Sequence, residues 1–168
     1  FAGQVAGGTV DSDLVKVGTG NFTLSGDSTH GGETFVQDGK LTLSGSIDGD
    51  FVIEGGTGVL ANTAAIAAGK QVEMAGGNVE FDAAGTFDTP IVASSAFGAI
   101  ATQDAELQGQ LSGAGNMAKS GAAKLTLNAD NSGYTGDIAV TAGTLEAATA
   151  NALGDSAQTG LTFDGGNL

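Results

Sequence analysis

The sequence has no cysteine, no tryptophan and no arginine, and a single proline, Pro90. Without cysteine there is no disulfide framework and no thiolate metal site, so order must come from packing and backbone hydrogen bonds. Five basic residues stand against 19 acidic ones, for a formal charge of −14. Phosphate backbones and anionic lipid are held by clusters of Lys and Arg, so nucleic acid is excluded as a partner. No apolar run reaches transmembrane length, so this segment is not expected to insert into a membrane. There is no signal peptide and no initiating Met, and Phe1 is read as opening an internal segment of a longer chain.

What the chain has in excess is glycine, 30 of 168 residues. There is no triplet period, which excludes collagen. The Gly, Ser, Thr, Asp and Asn content alone would allow disorder, but 40% hydrophobic residues at regular spacing supply a core. Leu125 and Leu127 alternate with Lys124, Thr126 and Asn128, and Ile138 and Val140 are followed after Gly143 by Leu145. Each aliphatic pair is a short strand with one buried face. Between the pairs lie Asn128 to Gly136 and Ala142-Gly143, residues suited to tight turns.

The pattern occurs twice. Lys16 to Ser28 overlays Lys119 to Asn131 without a gap, and after one inserted residue in the later copy Gly32 to Leu41 follows Gly136 to Leu145. In this the chain resembles the passenger domains of bacterial autotransporters (type V secretion) and their autotransporter-associated β-strand repeat. Met117, Lys119, Gly121, Leu125, Leu127, Asn131, Tyr134, Gly136, Val140, Gly143 and Leu145 fit that repeat, with Ala123 and Ala129 where glycine is common. The earlier copy keeps Leu14, Lys16, Gly18, Gly20, Phe22, Leu24, Gly26, Gly32, Val36, Gly39 and Leu41, with His30 near the aromatic position. The copies lie near 13–44 and 111–153, their overlaid residues 16–41 and 119–145 cover about a third of the chain, and the ending Leu161 to Leu168 has the look of another passenger motif.

The resemblance implies an all-β chain, a right-handed parallel β-helix exported through a C-terminal outer-membrane β-barrel elsewhere in the precursor, and hence a bacterial cell-surface or secreted location. Absence of cysteine suits a chain that must stay extended during export. Residues 1–168 are then a single β-helix segment of a larger passenger. At about 20 residues per coil and ~4.8 Å per strand step the chain makes about eight coils, roughly 40 Å long.

Along the chain, residues 1–11, with Val5 and Val10, are read as an outermost partial coil. Short strands are expected at Ile47, Phe51 and Ile53, at Val59 and Ile66, and at Val72, Met74, Val79 and Phe81. Residues 83–110 are the least regular. Pro90 belongs at a strand start or in a loop. Ile91, Val92, Phe97 and Ile100 cover one face of a coil or form a short helix over 94–100, and a functional excursion, if there is one, is expected here.

No constellation commits to catalysis, and no catalytic, cofactor-binding or metal residue is assigned. His30, the only histidine, has the turn composition Ser28-Thr-His-Gly31 around it, against the alternative of a Ser-His-Asp triad. Asp48 with Asp50, Asp11 with Asp13, and Asp82 with Asp88 are solvated turn carboxylates or Ca²⁺ ligands; neither an EF-hand nor a Gly-Gly-x-Gly-x-Asp calcium repeat is present, since Gly55-Gly-Thr-Gly58 runs into Val59-Leu60. Asn21-Phe-Thr23 fits a glycosylation sequon, of little meaning in a bacterial chain. Asn and Thr residues are expected in outward ladders or in stacks at coil corners. The function expected is that of an adhesin or virulence-associated scaffold, not an enzyme, with a host-cell surface or matrix component or a sibling passenger as partner. A stalk or self-association module, a polysaccharide-active β-helix enzyme and a vacuolating-toxin-like passenger are the alternatives; the enzyme is disfavoured by the lack of Arg to stabilise charge on an acidic sugar.

Overall fold

A computed structural model describes residues 5, 12–157 and 160–168 of the chain. The partial coil expected over residues 1–11 lies outside the described residues except for Val5. Among the described residues all regular elements are strands. They run β1 (Ser12–Lys16), β2 (Asn21–Leu24), β3 (Gly31–Val36), β4 (Lys40–Leu43), β5 (Phe51–Ile53), β6 (Thr57–Leu60), β7 (Val72–Met74), β8 (Asn78–Phe81) and β9 (Gly85–Phe87). They continue with β10 (Ile91–Ala93), β11 (Phe97–Ala101), β12 (Ala105–Leu107), β13 (Leu111–Gly113), β14 (Met117–Ser120), β15 (Lys124–Leu127), β16 (Ile138–Val140), β17 (Thr144–Ala147) and β18 (Leu161–Phe163).

Each strand is too short to bury its own apolar pair, so it pairs in parallel with the equivalent strand one coil away. Three sheets result: β1-β3-β5-β7-β10-β13, β2-β4-β6-β8-β11-β14-β16-β18, and β9-β12-β15-β17. In the first half of the chain the third face is thinner, with isolated parallel bridges from Ser28 to Ile47 to Ile66. The molecule is a three-faced parallel β-helix of about eight turns. Coil length, read as the separation of paired residues, runs from 17 residues (Thr34 to Phe51) to 23 (Ile138 to Leu161).

The core is built of inward ladders. Leu24, Leu43, Leu60, Phe81 and Ala101 stack on the eight-stranded sheet. Phe87, Leu107 and Leu127 stack on the third, with the exposed Ala147 at the end of the ladder. Large and small side chains compensate between faces. Phe51 is fully buried, and the room for it comes from Gly58, whose added Cβ would lie 2.6 Å from the Phe51 ring. Phe81 and Phe87 meet edge to face with centroids 5.1 Å apart.

Residues 83–110 carry β9 to β12, all in register, and the sequence irregularity does not become a backbone excursion. The short helix considered over 94–100 is strand β11 instead, since Phe97, Ala99 and Ala101 alternate inward along it. Ile91 and Phe97 enter the core, whereas Val92 and Ile100 point out. Pro90 precedes β10, where its missing N–H costs nothing and its carbonyl accepts from Val72 at 2.9 Å.

Candidate functional site

Three polar residues of the later repeat are drawn into the core. Lys119 stands on an inward ladder between Ala99 and Val140 and is fully buried. Its Nζ reaches the carbonyls of Ser120 (2.8 Å), Gly121, Ala123 and Ala142 (3.1 Å each), so the ammonium fastens one turn to the next. Burial pulls its pKa below the ordinary lysine value. Asn131 accepts from Leu111 N at 2.7 Å and donates to Ala152 O at 2.6 Å, joining three coils through one amide. Tyr134 is buried with its hydroxyl donating to Gly115 O at 2.8 Å and lying 3.2 Å from Asp137 O. Burial pushes its pKa to about 12.

The earlier repeat uses the same positions. Lys16 donates to the carbonyls of Val17, Gly18 and Asp38 at 3.0, 2.6 and 3.0 Å. Ser28, aligned with Asn131, accepts from Val5 N one coil back at 3.1 Å. His30, aligned with Tyr134, is buried, with Nε2 3.0 Å from Thr34 Oγ1 and Nδ1 without a hydrogen-bond partner among the described residues. The expectation of a simple turn residue is therefore corrected: His30 fills the core site of the repeat aromatic. Among the described residues no hydrogen bond links it to Ser28 or to a carboxylate, and no Ser-His-Asp triad is seen among them. These buried roles were missed in the sequence, although a lysine at the same repeat position in both copies, in phase with the inward aliphatics, was the available signal.

The acidic turns do more than meet solvent. Asp13 accepts from Glu33 N, Asp27 from Ser46 N, and Asp50 from Gln71 N, each at 3.0 Å. Asp104, Asn116 and Asp137 do the same with Lys124, Asp137 and Gly160 at 2.8–2.9 Å. Each is a rung to the next coil. Asp82 accepts from the Thr102 hydroxyl at 2.7 Å, Asp48 and Asp88 are exposed, and Asp11 lies outside the described residues. Among the described residues no three His, Asp or Glu side chains converge on a point suited to a metal.

The three outer faces differ. On the third sheet Thr86, Glu106, Thr126 and Glu146 form a polar ladder. There Gln108 and Asn128 hold the Glu106 carboxyl below its usual pKa. Glu146 is lowered chiefly by Lys124, 2.6 Å away, and Lys124 is raised in return. The eight-stranded sheet presents small residues, Asn78, Gly98, Ala118, Ala139 and Thr162, lining a shallow groove of about 460 Å³. On the six-stranded sheet the outward ladder is Val15, Phe35, Val52, Glu73, Val92 and Ser112, apolar in four of its six positions.

The passenger-associated transport repeat family matches residues 14–43 and 117–147, the two segments that carry the carbonyl-bonded Lys16 and Lys119. The chain is 31% identical over 155 residues to the adhesin BmaC autotransporter of Brucella suis biovar 1 (strain 1330). That match covers 89% of this chain and 4% of the relative, so the chain spans a small fraction of that protein's length. No solved structure matches the chain. Two copies of the passenger-associated transport repeat, wound into a parallel β-helix and fastened by the lysines the repeat supplies, give this chain the build of an autotransporter passenger, a class displayed at the surface of Gram-negative bacteria or secreted from them.

Proposed function

We propose that the chain is a surface-displayed β-helical segment of a larger adhesin-type passenger, acting through its outer faces on a host-cell or matrix component rather than by catalysis. The observation that carries this reading is the 31% identity, along 89% of the chain, to a protein described as an autotransporter adhesin. The side-chain chemistry agrees with it. The one histidine is in the core, the Asp and Asn rungs are engaged with backbone, and Lys16 and Lys119 are bonded to carbonyls. What is left for a partner is the relief of the faces and their charge. A translocator barrel in the precursor is the partner that export requires.

The test is titration of labelled 1–168 onto epithelial cells with unlabelled chain as competitor, alongside sedimentation of the chain alone. Saturable, competable binding by a monomer is expected. Absence of binding by a cooperatively melting monomer would make this segment a stalk and move adhesion elsewhere in the passenger. A second reading, self-association, is disfavoured by the charge of −14, which opposes contact between copies.

A further inference from the structure

The outer face of the six-stranded sheet is unlike the other two. Val15 is 46% exposed and Val17 63%, Phe35 and Val92 are half-buried, and Val52 is 6% exposed without belonging to the core cluster. Val15, Phe35, Val52 and Val92 are in register from coil to coil, with Glu73 interrupting the line between Val52 and Val92. Elsewhere among the described residues the large outward apolar side chains of the sheets are isolated. Val59 is covered to 1% exposure on β6, the strand straddled by the 2.9 Å Lys40–Glu80 ion pair, and Ile100 stands between Glu80 and Ser120.

Carboxylates flank the apolar strip. Asp13 and Glu33 are exposed on one side of it, and Asp38 and Glu54 on the other. Among the described residues the cation beside it with no carbonyl cage or ion pair is Lys70, half-buried at the Asp13–Asp50 margin. A second copy of the chain would bring like charge to like charge, and anionic lipid would be repelled.

We propose that this face docks a cationic amphipathic helix of a partner polypeptide, its apolar stripe on Val15, Phe35 and Val92 across the buried Val52 and its Lys or Arg residues on the flanking carboxylates. The spacing favours a helix over a strand. Ladder residues recur every ~4.8 Å along the solenoid axis, and a helix laid along that axis returns a side chain to one face about every 5.4 Å, against ~6.8 Å for an extended chain. Asp13, Glu33 and Glu54 stand two residues from the ladder, roughly 7 Å away, and Asp38 three, and so the carboxylates straddle a helix of about 10–12 Å diameter. Four coil steps span ~19 Å, the length of about 13 helical residues.

The inference rests on the adhesive reading for its biological setting, and the experiment separates the two. The probe is a labelled 14-residue Leu/Lys peptide patterned as an amphipathic helix, with Leu/Glu and Ser/Lys counterparts, titrated with the 1–168 chain by fluorescence anisotropy. We expect saturable binding of the Leu/Lys peptide alone. Phe35→Ser and Val92→Ser should each weaken it by about fivefold, on the order of the apolar contact removed. Glu33→Gln with Glu54→Gln should weaken it and flatten its salt dependence. Urea melts of the variants check that each is folded, and because Val92 and Phe35 lie on different coils one variant suffices if the other unfolds. Absence of saturable binding, or equal binding by folded Phe35→Ser and Val92→Ser, would overturn the docking face. If the peptide fails while the chain still binds epithelial cells, adhesion stands and this face is not its site. If the peptide binds as described while cells are not bound, the docking face stands and the adhesive reading falls.

Discussion

Tyr134 shows at the scale of one residue how the repeat converts sequence into stability. Its hydroxyl donates to the Gly115 carbonyl, with the Asp137 carbonyl close by, inside the core, and burial raises its pKa to about 12. The unfolded chain ionises at about 10, so the stability from the neutral phenol is whole below that pH and drains as pH rises from 10 through 12. Tyr134→Phe should cost about 1–2 kcal/mol at pH 8 through the lost hydrogen bond, yet lose less than the native chain between pH 9 and 11. Urea melts at both pH values check this; parallel loss in the two proteins would mean the hydroxyl is not buried. Lys119 makes the complementary case. Lys119→Met would leave carbonyls unpaired in the core and should cost about 2–4 kcal/mol, whereas Lys16→Met, at the exposed first coil, should cost about 1 kcal/mol or less. Equal effects in denaturant titration would refute the difference in burial.

At the scale of the element, the strands were largely legible because each needs only an aliphatic pair in alternation between turn formers, as at Leu125 and Leu127. What was not legible was which apolar residue faces inward where the pair is irregular. Val92 and Ile100 have the same chemistry as Ile91 and Phe97, and only pairing with the neighbouring coils decides that they point out. Likewise Gly58 reads as a break in a strand, and its reason, the Phe51 ring across the core, lies on another sheet. Close stacking of coils gives a second element-level prediction. A Cβ at Gly109 would collide with the Thr89 carbonyl one coil away, while at Gly20 it meets nothing within 4 Å. Gly109→Ala should therefore lower the melting midpoint by several degrees, and Gly20→Ala should leave it unchanged or raise it slightly. Leu127 is fully buried between Leu107 and Ala147, and Leu127→Asp should abolish the cooperative melt seen by circular dichroism; an unchanged melt would place the side chain outside.

At the scale of the whole molecule, the solenoid separates two tasks. Polar side chains of the repeat are turned inward or along the axis, where Lys119, Asn131 and the Asp rungs join coil to coil, and the outer faces are left free to vary. The fold was readable from two imperfect copies covering about a third of the chain. The candidate surface was not, because a ladder on one face draws its members from segments 17 to 21 residues apart that share no motif. All of this depends on the register between coils, and a chain without cysteine allows it to be measured directly. Thr86 and Glu106 are paired, outward neighbours on β9 and β12, within the Cα separation of about 4.4–6.8 Å that a disulfide spans. The double variant Thr86→Cys with Glu106→Cys should close rapidly and fully under mild oxidation, as an intramolecular bond. The same first cysteine with Gln108→Cys, one ladder position out of register, should close far more slowly. Preferential closure of the 86–108 pair, or closure of neither, would contradict the parallel β-helix on which the account stands.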